Sequence, residues 1–289
     1  MQIGVIGCGN MGGGMARQLQ AAGHSLICYD PDAEKLNNLQ AAGAKAATTA
    51  CELARSATYI ILSLPKAAIV SEVMQEIVSD IKQGAIVLDT STSEPSTSQA
   101  MSELGMAHGF SFVDGPVSGG PAAANAGTMT MLLGGELDAI KALEPLLDII
   151  TAKTVIVGGS GAGHAAKIAN NMLCAANLVL VAEAVRLGEA SGVQPHDLLE
   201  GINAGSGRSG VSEVNFPKWV LNDAFDSGFT MGLMRKDVGL ALDLAKSSSV
   251  ELPGFTQIAD LWLNRSTHIP DTADFNEIVR SADRGQDNV

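Results

Sequence analysis

Lys167 and Asn171 stand four residues apart in the run Gly161-Ala-Gly-His-Ala-Ala-Lys-Ile-Ala-Asn-Asn171. On a helix that spacing stacks two side chains on one face, one turn apart. An ammonium and a carboxamide so placed can hold an alcohol or carbonyl oxygen and a neighbouring carboxylate. Lysine beside a desolvated ligand can have its pKa drawn into the range useful for proton transfer. The ordinary role of a helical lysine is solvated surface charge. Here the neighbours are mostly alanine and no acid lies within a turn, which favours acid–base work. His164 is the rival acid/base, and the weaker one, because a histidine in a first helical turn commonly packs or caps. Asn170 falls on an adjacent face.

A second chemical element is Gly7-Cys8-Gly9-Asn10-Met11-Gly12, between the apolar run Gln2 to Ile6 and a helical run. Alone, a GxGxxG pattern fits a plain strand-to-helix turn as well as a ligand loop. Its context gives it a mechanism. Gly7 permits the tight turn, Gly9 lets the backbone approach a pyrophosphate, and Gly12 permits close helix–strand packing. The helix N-terminus, with Asn10 and Met11, then offers amides and a positive dipole end, so even an acidic protein can bind a dinucleotide. Asp30 lies about 20 residues on, where a carboxylate accepts from ribose hydroxyls. The following Pro31-Asp32-Ala33 offers no cation for a 2′-phosphate, which favours NAD over NADP. Capping of the next helix is the other role open to Asp30, and Asp32 can fill it.

Two further stretches can face a ligand. Asp114-Gly-Pro-Val-Ser-Gly-Gly-Pro121 reads as a loop after a strand, presenting amides and the Ser118 hydroxyl to a carboxylate. Leu233-Met-Arg-Lys-Asp-Val-Gly-Leu-Ala241 places Arg235 and Lys236 where they can reach a phosphate, ribose or carboxylate, with Asp237 to orient a lysine. A surface charge cluster explains the spacing equally well. No Ser/His/Asp triad or metal-ligand spacing is apparent.

These groups need a scaffold, and the first half of the chain supplies one by alternation. Strands are expected at 2–6, 25–29, 59–63, 85–88, 111–113, 129–133 and 154–157, with helices at 11–22, 33–41, 67–81, 94–104 and 137–149. Such alternation implies a doubly wound, mainly parallel sheet covered by helices on both faces. Past Gly158-Gly-Ser-Gly-Ala-Gly163 the pattern changes. One long helix is expected over 164–191, followed by helices near 195–202, 236–247 and 256–264. The reading is an α/β domain at 1–162 and an all-α domain at 163–289.

The chain has 289 residues, 46% hydrophobic and 17% charged. Its net charge of −13 argues against general binding to nucleic acid or anionic membranes. The four cysteines show no metal spacing and read as thiols of a reducing compartment, and the N-terminus shows no secretion signal. A cytoplasmic location is expected. The apolar stretch 168–185 carries three asparagines and a glutamate, which suits a buried helix better than a membrane span.

The ordered motifs IGCGNMGGGMARQL, DGPVSGGPAAANAGTM, GAGHAAKIANNML and LMRKDVGLALDLA together resemble the β-hydroxyacid dehydrogenase family over nearly the full length. The resemblance implies a Rossmann-type domain, a helical domain built on the long interdomain helix, and a site in the cleft between them. It implies Lys167 as catalytic acid/base and Asn171 as a substrate contact. It places Ser118, Gly119 and Gly120 in the substrate loop and Lys236 beside nicotinamide or substrate. Leu64, Pro65 and Thr92 match cofactor-contacting positions. Two positions depart from the pattern: Cys8 stands where leucine is usual, and Gly12-Gly13-Gly14 replaces a usual proline, which should loosen the helix start.

The expected activity is NAD-dependent, reversible oxidation of a small 3-hydroxy acid to its semialdehyde or keto acid, in a homodimer or homotetramer. Alternatives on the same plan are an imine reductase-like or a phosphogluconate dehydrogenase-like enzyme, the latter with Arg208 and Arg235 as phosphate candidates. A non-catalytic NAD-sensing protein is a third.

Overall fold

The structure, a computed structural model, describes residues 2–286. The chain divides into two compact units, one ending at Lys167 and the other beginning at Ile168.

In the first unit β1 (Gln2–Ile6), α1 (Asn10–Ala21), β2 (Ser25–Tyr29), α2 (Glu34–Ala41), β3 (Lys45–Ala46), α3 (Ala50–Ser56), β4 (Tyr59–Leu62) and α4 (Ala67–Ile77) follow in alternation. Next come β5 (Ile86–Asp89), α5 (Pro95–His108), β6 (Ser111–Asp114), β7 (Val117–Ser118), α6 (Gly120–Ala126), β8 (Met129–Gly134), α7 (Leu137–Ile150) and β9 (Thr151–Gly158). The sheet order is β3-β2-β1-β4-β5-β6-β8-β7, with β9 beside β8. Strands β1 to β6 pair in parallel, and the antiparallel pairs are β6 with β8 and β7 with β8. The period-2 geometry of a strand divides the inner residues between two cores. Val5, Ile61, Leu88 and Val113 face one core, while Ile6, Ile60, Leu62, Val87 and Phe112 face the other. Strands buried on both faces read as continuous apolar runs, which is why Tyr59-Ile-Ile-Leu62 was legible.

The order places β1 between β2 and β4, so the winding reverses direction at β1. Open parallel sheets bind ligands outside the carboxyl ends of strands at such a point. Gly7, Asp30, Leu64 and Thr92 all follow the carboxyl ends of strands, after β1, β2, β4 and β5.

Two local expectations change. The segment 114–121 is not all loop: Val117–Ser118 forms β7 and Gly120 opens α6. The triple glycine lies on the packed face of α1. A Cβ on Gly12 would lie 1.9 Å from the Gly7 carbonyl oxygen, and one on Gly14 would lie 2.9 Å from Ala124 Cβ, so both are contacts. Arg17 Nη2 donates to Asn125 Oδ1 at 2.5 Å across the same α1–α6 seam.

The helix α8 (Ala162–Ala190) runs from the first unit into the second, which continues with α9 (Pro195–Ala204), a π-helical stretch Val211–Val220 and α10 (Met231–Ser247). Then α11 (Pro253–Asp260) passes into a π-helical turn Leu261–Arg265, and a 3-10 segment Phe275–Gln286 follows. The start of α10 lies five residues before the expected one, because Thr230 caps it by accepting from the Leu233 amide. The second unit's core gathers Leu178, Phe216, Met234, Val238 and Trp262, whose indole donates to the Ala175 carbonyl at 3.2 Å. By length and composition α8 could cross a membrane, yet its Ala175, Leu178 and Ala182 are packed into that core.

Candidate active site

The glycine loop is shaped for close approach. Gly7 has φ of +89°, and a Cβ there would meet the Ser63 carbonyl oxygen at 2.3 Å, so only glycine fits. Over Gly9, the N-cap of α1, a Cβ would meet nothing within 4 Å. No side chain caps the helix and no acid lies in its first turn. Amides with no side-chain cap, an open face and the positive dipole end suit a pyrophosphate, so the residues present fit a dinucleotide.

Asp30 is buried at 7% exposure. Its Oδ2 accepts from the Cys8 amide at 2.8 Å and Oδ1 from the Asp32 amide at 2.9 Å, which ties the end of β2 to the glycine loop. Lys35 Nζ lies 3.4 Å from Oδ1 and 3.8 Å from Asp32 Oδ2. This cation lies beyond Pro31-Asp32-Ala33, and the first turn of α2 brings it back toward Asp30. The Cys28 side chain and burial push the Cys8 thiol pKa up, so Cys8 sits as a protonated, buried thiol. Leu64 follows β4, and its amide donates to Ser91 Oγ at 3.0 Å. Pro65 beside it is exposed, and Thr92, after β5, is half-buried.

Lys167 is 8% exposed, and its ammonium donates to Ser118 Oγ at 2.9 Å. Two residues 49 apart in sequence, singled out for different reasons, are therefore brought together. The backbone turns at Gly119 and Gly120, with φ of +122° and +67°, next to that pair. Within the second unit Asn171 Nδ2 donates to Asp237 Oδ2 at 2.5 Å, and Lys236 Nζ lies 3.5 Å from the other oxygen. Asp237 thus holds an amide and an ammonium from two helices, α8 and α10.

Other candidates are placed elsewhere. His164 is fully buried; its Nε2 donates to the Ser91 carbonyl at 2.9 Å and its Nδ1 lies 2.7 Å from Ser98 Oγ. Both ring nitrogens are engaged by the scaffold, which weakens the acid/base reading. Arg235 turns inward and donates to the carbonyls of Trp262 at 3.1 Å, Ser266 at 2.6 Å and Ile269 at 3.0 Å. Arg208 faces Glu213 at 3.7 Å. Neither makes a phosphate pocket. Among the described residues no group of three or more His, Cys, Asp or Glu could hold a metal ion.

Sequence reasoning missed Asp114, which ends β6 and accepts the amides of Gly161 at 2.7 Å and His164 at 3.1 Å. The only local signal was its place at a strand end before a Gly-Pro turn. Burial pushes its carboxyl pKa above the usual range, against the pull of those two amides.

A doubly wound sheet with an open, uncapped glycine loop, followed by a helical unit, defines a Rossmann-type dinucleotide-binding class. Residues 2–159 match the model for the NAD binding domain of 6-phosphogluconate dehydrogenase, and residues 161–282 match the model for NAD-binding of NADP-dependent 3-hydroxyisobutyrate dehydrogenase. The chain is 36% identical over 256 residues to 2-(hydroxymethyl)glutarate dehydrogenase of Eubacterium barkeri, covering 88% of this chain and 85% of that one. It is 35% identical to NAD-dependent L-serine dehydrogenase of Pseudomonas aeruginosa, covering 87% and 88%. A solved structure of Mycobacterium tuberculosis 3-hydroxyisobutyrate dehydrogenase with L-serine superposes with a TM-score of 0.91 at 29% identity, covering 97% and 98%. The chain belongs to the β-hydroxyacid dehydrogenase family. It is an NAD-binding dehydrogenase.

Proposed function

We propose that the chain interconverts a small 3-hydroxy acid of the 3-hydroxyisobutyrate kind and its semialdehyde or keto acid, with Lys167 as general acid/base. The observation that carries the reading is the buried Lys167–Ser118 hydrogen bond of 2.9 Å, which holds an ammonium beside a glycine-rich turn. Bound NAD supplies the two-electron acceptor. In oxidation Lys167, as the neutral amine, takes the substrate hydroxyl proton at Nζ and becomes the ammonium, and in reduction the ammonium gives a proton to the carbonyl oxygen. Ser118 fixes the direction of Nζ and, with the amides of Gly119 and Gly120, binds the substrate carboxylate. Asn171, oriented by Asp237, is a substrate contact, and Lys236 serves substrate or cofactor. Gly7, Gly9, Asn10, Met11 and Gly12 receive the pyrophosphate, Asp30 the ribose, and Leu64, Pro65 and Thr92 flank the cofactor.

The names of the relatives support a short acid with a β-hydroxyl, and differ in what hangs from its α-carbon. A spectrophotometric panel with NAD and NADP tests the reading, using 3-hydroxyisobutyrate, L-serine, 2-(hydroxymethyl)glutarate, glycerate and 4-hydroxybutyrate. Turnover of at least one 3-hydroxy acid with NAD is expected. NADH formation with none of them would favour a non-catalytic NAD-binding role.

The proposed homo-oligomer has a surface to account for it. Leu173, Leu180 and Leu187 are 57%, 51% and 71% exposed and recur every seven residues along α8. A second copy of the same stripe would cover them.

A further inference from the structure

We propose that Asp114 is a positioning residue for Lys167: it locks the first turn of α8 to the strand that feeds the Ser118 loop, and so sets the Lys167–Ser118 hydrogen bond. The inference rests on the reading of Lys167 as acid/base.

Asp114 is fully buried at the end of β6, and each carboxylate oxygen has its own donor. Oδ1 accepts from the amide of Gly161 and Oδ2 from that of His164, at 2.7 and 3.1 Å. The first amides of a helix have no partner within the helix, and a carboxylate there also meets the positive end of the dipole. A cap normally comes from the adjoining residue. This one comes from 47 and 50 positions away, so it joins two distant segments.

The surroundings are built around the carboxylate. A Cβ at Gly134 would come within 2.6 Å of Oδ2, and one at Gly163 within 2.8 Å of it. The same turn is also held by the His164 ring, through Ser91 and Ser98. From this lock the paths to the site are short: four residues from Asp114 to Ser118, and three from His164 to Lys167. Three helical residues are less than one turn and about 4.5 Å of rise, so a tilt of the first turn passes directly to Nζ. Burying a charge is costly, and an exposed serine or threonine beside Ala162 would cap the helix at lower cost. What the buried carboxylate adds is a fixed relation between two chain segments.

The test is a double-mutant cycle on the full chain, with turnover and NAD affinity measured in Asp114→Asn, Ser118→Ala, the double variant and Lys167→Ala. Asn is isosteric but presents an NH2 to one of the two amides. Asp114→Asn should lower kcat tenfold or more and leave the NAD Kd within twofold. In the Ser118→Ala background it should lower kcat less than threefold, since the distance it maintains no longer exists. An equal loss in both backgrounds, or a loss of NAD affinity in step with kcat, overturns the inference. Near-normal turnover in Lys167→Ala overturns the Lys167 reading and this inference with it. A crippled Lys167→Ala beside an additive Asp114→Asn overturns this inference alone. If Asp114→Asn does not fold, Asp114→Ser, which keeps one acceptor in less volume, replaces it in the cycle. If neither folds, Asp114 serves folding rather than site geometry, and the inference is overturned.

Discussion

Lys167 Nζ lies 2.9 Å from Ser118 Oγ, although the two residues sit on a long helix and on a two-residue strand 49 positions apart. The pair links the lysine proposed for proton transfer to the loop proposed to hold the substrate carboxylate.

Lys167→Ala or Lys167→Met removes the proton-transfer group and should reduce kcat by about 10²- to 10⁴-fold, with NAD affinity changed little. Ser118→Ala removes one hydrogen bond to a charged donor and should cost about tenfold. Steady-state turnover alongside a fluorescence titration with NADH separates the two quantities.

Asp30→Ala should raise the NADP-to-NAD ratio of catalytic efficiencies at least tenfold. The change removes the carboxylate that repels a 2′-phosphate and releases Lys35, now 3.4 Å from it. Total efficiency should also fall, because the Cys8 and Asp32 amides lose their acceptor. Unchanged preference in this variant would remove Asp30 from cofactor selection.

Gly14→Val should destabilise the protein by about 1–3 kcal/mol, the usual cost of overpacking. The new side chain would be driven into Ala124 and the backbone around Asn125. Ala124→Gly in the same chain should restore part of the loss, as read from urea midpoints. No recovery would place the strain outside the α1–α6 seam.

Burial raises the folded-state pKa of Asp114, so the folded protein takes up this proton at a higher pH than the unfolded chain does. Between the ordinary carboxylate value and the raised one, the folded state binds more protons, and stability attributable to this group rises as pH falls. Wild type should therefore gain stability relative to Asp114→Asn as pH is lowered from neutral through that window. Denaturant midpoints of both proteins across the range provide the check; a constant difference would contradict it.

Leu180→Glu should convert the proposed oligomer to a smaller species in sedimentation velocity, since it puts a charge in the middle of the exposed α8 stripe. An unchanged sedimentation coefficient would move the contact elsewhere.

Much of the scaffold was legible because its signals are local. Apolar strands buried on both faces, glycines at a strand-to-helix turn and small residues along a long helix can each be read within a few positions. The same holds for Lys167 and Asn171 on one helical face. Misread features depend on distant partners. Gly120 and Pro121 read as the end of a loop, yet they open a helix, Gly120–Ala126, packed against α1, where Gly14 leaves room for Ala124. Arg235 reads equally as a ligand-binding cation or as surface charge, yet three carbonyls 27 to 34 residues away take its donors.

By itself, then, the sequence determined the alternating sheet, the dinucleotide turn and the helix that carries the lysine, since each follows from backbone periodicity and glycine's conformational freedom. Only the tertiary structure decided that Ser118 meets Lys167, that Lys35 returns to Asp30, and that Asp114 receives the amides of Gly161 and His164. These are hydrogen bonds and ion pairs whose partners are chosen by how strands and helices pack. Residue type records that a carboxylate can accept, while which amides it accepts from is set by where β6 ends and α8 begins.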